Sequence, residues 1–153
     1  MVRRGERGVA LAEFALLLPL FMLLLLGLIE IGRLFYFTIQ VGNAAHAGAQ
    51  YASLSQTNTA ASARAAALAD GANSIDPAMN ATAQNVCSCW NPVTKTETAP
   101  APATCSGHCT AGYRITYAQV TVTGTINSLF NYSALGIPTS WNVSRTALMR
   151  VGL

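Results

Sequence analysis

Charge is what this sequence has least of, and the shortage excludes several classes of function. Asp, Glu, Lys and Arg make up 10% of its 153 residues, and there are two histidines. Of the basic residues, Arg3, Arg4 and Arg7 crowd into the first turns of chain, so the net charge of +3 is local. It does not make a basic face for nucleic acid. The sequence has no phosphate-cradling P-loop, no G-x-G-x-x-G turn and no H-E-x-x-H zinc helix. His46 lies in a small-residue stretch and His108 in a cysteine-bearing loop, and neither has an acid or nucleophile at a spacing that sets up catalysis. The chain therefore reads as non-enzymatic, with no cofactor. Three N-x-S/T triplets, at Asn80, Asn131 and Asn142, carry no functional weight in a sequence this rich in Asn and Thr.

What it has in excess is apolar length. Between Phe14 and Ile29 there is no charged residue, and with Val9 to Glu13 in front the run reaches about twenty residues, the length of helix that crosses a bilayer. The sequence predicts one transmembrane helix over residues 9–33. Arginines precede it, while Glu30 and Arg33 close it as a mixed pair, so the positive-inside rule puts residues 1–8 in the cytoplasm and everything after Arg33 outside it. A cleaved secretory signal is the competing reading. The run is longer than an ordinary signal core, and no A-x-A site closes it. Pro19 is compatible with a membrane helix. Glu13 is the anomaly, because an acidic residue at a bilayer centre costs roughly 2.5 to 3.5 kcal/mol and asks for a partner, a watery position or a role.

Helical character continues from Leu34 to Ser53, as an extracytoplasmic extension without proline. If unbroken, Val9 to Ala52 would measure roughly 65 Å. Ala44, Gly48 and Ala52, with Ala45 and Ala49 beside them, make a smooth stripe that lets another backbone approach closely. Two readings stay open: the stripe packs against another helix, or it packs against the chain's own domain.

Residues 54–153 read as a small periplasmic α+β domain. Ser55 to Thr59 form a turn, with Thr57, Asn58 or Thr59 as N-cap of an alanine-rich helix that runs through Ala69 and ends at Asp70-Gly71. A further helix-like stretch stops at Asp76-Pro77. Ala83 to Trp90 predicts a short strand. Arg114 to Ile126 predicts a long one, with Ile115, Tyr117, Gln119, Thr121 and Thr123 on one face and Ala118, Val120 and Val122 on the other. Trp141 to Met149 alternates again and predicts an antiparallel partner for it. The fold class is α+β: a long N-terminal transmembrane helix continuing outside the membrane, a short helix, then a small antiparallel sheet with a cysteine-bearing loop.

That loop holds Cys87, Cys89, Cys105 and Cys109 around a stretch rich in Pro, Thr and Ala. An extracytoplasmic position favours disulfides. Of the three connectivities, a simple hairpin prefers the nested one, Cys87–Cys109 with Cys89–Cys105. A zinc site that adds His108 is the alternative, but C-x-C with C-x-x-x-C departs from the usual knuckle spacings, and no metal is assigned.

The run RGVALAEFALLLPLFMLLLLGLIEIGRLFYFTIQVGNAAHAGAQYAS, Arg7 to Ser53, resembles the N-terminal domain of TadE-like proteins, the pseudopilins or minor pilins of bacterial tight-adherence (Tad/Flp) type IV pilus systems. The shared features, in order, are a small-acid-Phe-Ala opening, the early Pro19, Gly27 before Glu30, Gly32-Arg33, and the Asn43-Ala44-Ala45 to Ala-Gly-Ala segment. The cysteine loop lies outside that pattern. The resemblance implies cleavage after Gly8 by a prepilin peptidase, leaving Val9 as the new N-terminus and Glu13 as its fifth residue. It implies that Glu13 and Phe14 serve assembly, with Glu13 pairing with the freed α-amino group of its own or a neighbouring subunit. The simpler alternative is that Glu13 sits at headgroup depth and interacts with its own helix N-terminus. The implied partners are the inner membrane, the peptidase, other pilins or pseudopilins and the pilus assembly machinery. Two further readings compete: an unprocessed membrane-anchored periplasmic binding or scaffold protein, and a thiol oxidoreductase using Cys87 and Cys89, which would need one low-pKa thiol.

Overall fold

A long run of mostly apolar and small residues forms the first element of the computed structural model, helix α1, Glu6–Ser53, which continues through Pro19. The structure describes residues 6–54, 60–71, 79–131, 133 and 136–152. Arg3, Arg4, the turn at Ser55 to Thr59 with its N-cap candidates Thr57, Asn58 and Thr59, and Asp76-Pro77 lie outside them. The chain divides into two compact units, Met1–Phe35 and Tyr36–Leu153.

In the first unit α1 is apolar around its circumference. From Leu11 to Ile31 its large apolar side chains are between 39% and 81% exposed, as expected of a helix whose solvent is lipid rather than a protein core. It is the one helix among the described residues long and apolar enough to cross a membrane, and it fits membrane anchoring. Near its end Glu30 and Arg33, spaced i,i+3, lie 3.8 Å apart.

The second unit contains the rest of α1, helix α2 (Ala60–Gly71) and four strands: β1 (Met79–Asn91), β2 (Thr96–Glu97), β3 (Tyr113–Asn127) and β4 (Ser140–Arg150). The strands form one antiparallel sheet in the order β2-β1-β3-β4. β3, rich in Thr, Val and Ile, is central and pairs with β1 and β4 along most of its length. Alternation divides the sheet into two faces. Ala118, Val120, Val122, Gly124 and Ile126 point to the helical side and are buried, together with Ala81 of β1 and Ala147 of β4. The opposite face is polar and largely exposed. There Gln84 Nε2 donates to Gln119 Oε1 at 2.8 Å, Thr121 and Thr146 share a 2.8 Å hydroxyl contact, and Thr125 donates to Asn142 at 2.6 Å.

The small-residue stripe packs against the chain's own domain. Phe37, Val41, Ala44, Ala45, Gly48, Ala49 and Ala52 are buried, and so are Ala63 and Ala67 of α2. Gly48 marks the closest approach: a Cβ there would stand 2.8 Å from Ala67 Cβ, 2.9 Å from Ala63 O and 3.0 Å from Val120 Cγ1. The ring of Phe37 fills the place a side chain at residue 124 would take, 2.6 Å from an added Cβ. These two sockets, with hydrogen bonds from Gly152 N to Ser53 O and from Val151 N to Thr116 O, set residues 37–53 antiparallel to β3.

β1 begins four residues before the predicted Ala83, because Met79 to Thr82 gain their extended conformation from pairing with Thr121 to Gly124 rather than from intrinsic propensity. β2 was not anticipated. It follows a turn in which Asn91 Oδ1 accepts from Val93 N at 2.9 Å and Thr94 N at 3.3 Å, and in which Lys95 has a φ of 53°.

Candidate processing and assembly segment

The residues expected to carry processing and assembly, Gly8, Val9, Glu13 and Phe14, fall in the first three turns of α1. Arg7 and Gly8 are in its opening turn. Val9 is 59% exposed, Glu13 is exposed, and Phe14 is 58% exposed. Val9 and Glu13 are four residues apart in a continuous helix, so they share one face, about 6 Å apart along the axis.

The cysteine loop is stapled twice. Cys87 pairs with Cys105 and Cys89 with Cys109, with Cα–Cα separations of 4.9 and 5.6 Å. The nested pairing expected from a simple hairpin is therefore corrected, because the chain reverses more often than a hairpin does. After β2 it runs back along β1, where Cys87 and Ala101 exchange backbone hydrogen bonds of 3.1 and 3.0 Å, and turns through a short 3-10 helix, Pro102–Cys105. It then returns to enter β3, which sets Arg114 opposite Cys89 and Thr116 opposite Cys87. The last cysteine before β3 thus reaches Cys89, and the earlier one reaches Cys87. With all four sulfurs in these bonds, neither pair is a C-x-C redox disulfide, and none is a thiolate ligand.

Sequence reasoning did not single out a small cluster at this end of the polar face. Glu97 on β2 accepts hydrogen bonds from Ser88, which is fully buried, and from Tyr117, whose hydroxyl is 2.7 Å away. The bonds from Ser88 and Tyr117 hold the Glu97 carboxyl below the usual carboxylate range, with Arg150 adding a smaller pull. The same contact raises the Tyr117 hydroxyl, and burial adds to the shift. The available signal was that Glu97 is one of only six acidic residues and sits beside a two-residue strand. Its chemistry is that of a clasp holding β2 to the sheet. At the other end of the polar face an open groove of about 410 Å³ is lined by Asn80, Thr123, Thr125, Asn142 and Ser144 with Gly124 and Val143, a hydrogen-bonding surface at which Asn80 Oδ1 accepts from Arg64 Nη2 at 3.3 Å. His46 and His108 are both exposed.

No curated protein and no solved structure matches the chain. Residues 8–50 match the family model described as TadE-like protein, so the segment that begins at Gly8 and carries the long apolar helix into the second unit is similar to TadE-like proteins.

Proposed function

We propose that this chain is a pseudopilin or minor pilin that takes part in assembling a Tad/Flp-type adhesive pilus. The observation that carries the reading is the TadE-like match over residues 8–50, whose first residue is the glycine expected at the cleavage position. In this reading residues 1–8 are a cytoplasmic leader in which Arg3, Arg4 and Arg7 set topology. Residues 9–33 span the bacterial inner membrane, residues 34–53 extend from it, and the sheet lies in the periplasm. Prepilin peptidase removes the leader after Gly8. The Val9 ammonium and the Glu13 carboxylate then form a pair in low dielectric, within one subunit or between two, beside Phe14 and the apolar surface that packs neighbouring helices. The protein acts by assembly and does no chemistry of its own.

Intact mass of the membrane-extracted protein tests the reading. A pseudopilin lacks residues 1–8, and Gly8→Leu, which puts a bulky side chain at the scissile position, retains them. A wild-type chain that keeps its leader in cells with an active prepilin peptidase overturns it in favour of an unprocessed, membrane-anchored scaffold.

A further inference from the structure

Leu129, Phe130 and Ile137, in the loop between β3 and β4, are 52%, 42% and 43% exposed, although the domain has a helical face on which apolar side chains can be buried. The loop is closed at its base by the bond from Ser128 N to Thr139 O, 2.8 Å, and Ser128 Oγ donates to Phe130 O at 2.6 Å, so its apolar residues project from an ordered root. Residues 37–53 of α1 run antiparallel to β3, with Phe37 against Gly124. β3 therefore ends, and this loop begins, at the end of the domain where the chain arrives from residue 35. Arg33, which closes the apolar run, is four residues from Phe37, about 6 Å as helix and at most about 15 Å fully extended. The loop itself is uncharged, and the nearest charges at this end are Arg145, opposite Val122, Arg64, which donates to Asn80, and Asp70 at the end of α2. No Asp, Glu, Lys or Arg occurs between Arg114 and Arg145, whereas Glu97, Arg114 and Arg150 gather near the disulfides. Tyr36 and Ile39, 53% and 59% exposed, add an aromatic and an aliphatic side chain on the arriving helix.

We propose that the β3–β4 loop is a membrane-contacting element, its Leu129, Phe130 and Ile137 resting in the headgroup and acyl boundary of the bilayer that anchors the helix. The inference rests on the membrane-anchoring part of the function proposed above. The chemistry fits the occupant: neutral residues cross no charge penalty, apolar side chains enter the boundary, and a second attachment point restricts how the domain tilts over the lipid surface.

The full chain, with its native sequence, is reconstituted in phosphatidylcholine vesicles doped with a lipid that carries a photoactivatable diazirine on the acyl chain close to the glycerol. After irradiation it is reduced, digested with trypsin and mapped by mass spectrometry. Lipid adducts are expected on the peptide ending at Arg33 and on Ile115–Arg145, within residues 128–141, and not on Thr96–Arg114. The triple variant Leu129→Ser, Phe130→Ser, Ile137→Ser should lose the second set and keep the first. Adducts on the span with none in 128–141 overturn the loop's role while leaving the anchor intact. A span peptide free of adducts overturns the anchor and the loop together.

Discussion

Gly42 and Gly48 lie on the same helix, and the same substitution should change stability in opposite directions at the two positions. In a helix interior, Gly→Ala is favourable by about 0.8 to 1 kcal/mol through backbone entropy. At Gly42 an added Cβ meets nothing within 4 Å, so Gly42→Ala should stabilise by close to that amount. At Gly48 the same methyl would stand 2.8 Å from Ala67 Cβ and 2.9 Å from a backbone oxygen, Ala63 O. Both are closer than real Cβ contacts, and the backbone of α2 cannot swing aside as a flexible side chain would. α2 must move off α1 by several tenths of an ångström, against the opposing contact with Val120 Cγ1 at 3.0 Å. Overpacking of this kind costs roughly 1 to 3 kcal/mol. Net of propensity, Gly48→Ala should be neutral to destabilising by about 2 kcal/mol. The difference between the two variants is then about 1 to 3 kcal/mol. Urea unfolding of the detergent-solubilised protein, followed by Trp90 and Trp141 fluorescence, measures it. If Gly48→Ala stabilises as much as Gly42→Ala, the stripe is not in close contact with α2 and is free to pack against another helix.

The disulfides should resolve as Cys87–Cys105 and Cys89–Cys109 under partial reduction with stepwise alkylation, and a nested pattern would refute the double reversal of the loop. Replacing one pair, Cys87→Ser with Cys105→Ser, closes a loop of sequence separation 18 less tightly in the unfolded chain and should cost about 3 kcal/mol in the same unfolding assay. Because the Glu97 carboxyl is held below its ordinary value of 4.5, the unfolded chain takes up the proton first as pH falls. The Glu97 contribution is thus intact above pH 4.5 and lost as pH drops through the lower folded value; Glu97→Gln should flatten that part of an acid unfolding profile, and an unchanged slope would remove Glu97 as the clasp. Glu13→Leu should give mature-length protein in the membrane but no pili, with Glu13→Asp intermediate, and normal piliation by Glu13→Leu would reduce the carboxylate to a helix-end residue.

How much of this was legible beforehand depends on where each instruction lies along the chain. The helix through Ser53 and the alternation of β3 and β4 rest on local periodicity, and the strands extend beyond the predicted limits by a residue or so at each end. The start of β1 at Met79-Asn80-Ala81 and the two-residue β2 rest on partners far away in sequence, and local propensity is silent about them. The cysteines announced disulfides but not their pairing, because pairing follows the number of chain reversals and not the spacing. Small residues every fourth position look the same whether a foreign helix or the chain's own α2 fills the groove. Glu13 stands out as an oddity from charge alone, whereas the assembly role proposed for it rests only on resemblance.

The burial of Phe37 to Ala52 decides where this protein can be cut for recombinant work. A soluble fragment started after Ser53, at the visible end of the helical pattern, discards the apolar lid of the sheet and leaves Val120, Val122 and Ile126 facing solvent. Such a fragment should be recovered from inclusion bodies. One started at Tyr36 retains the alanine-lined face against which α2 and β3 close, while omitting the exposed apolar stretch that fits membrane anchoring.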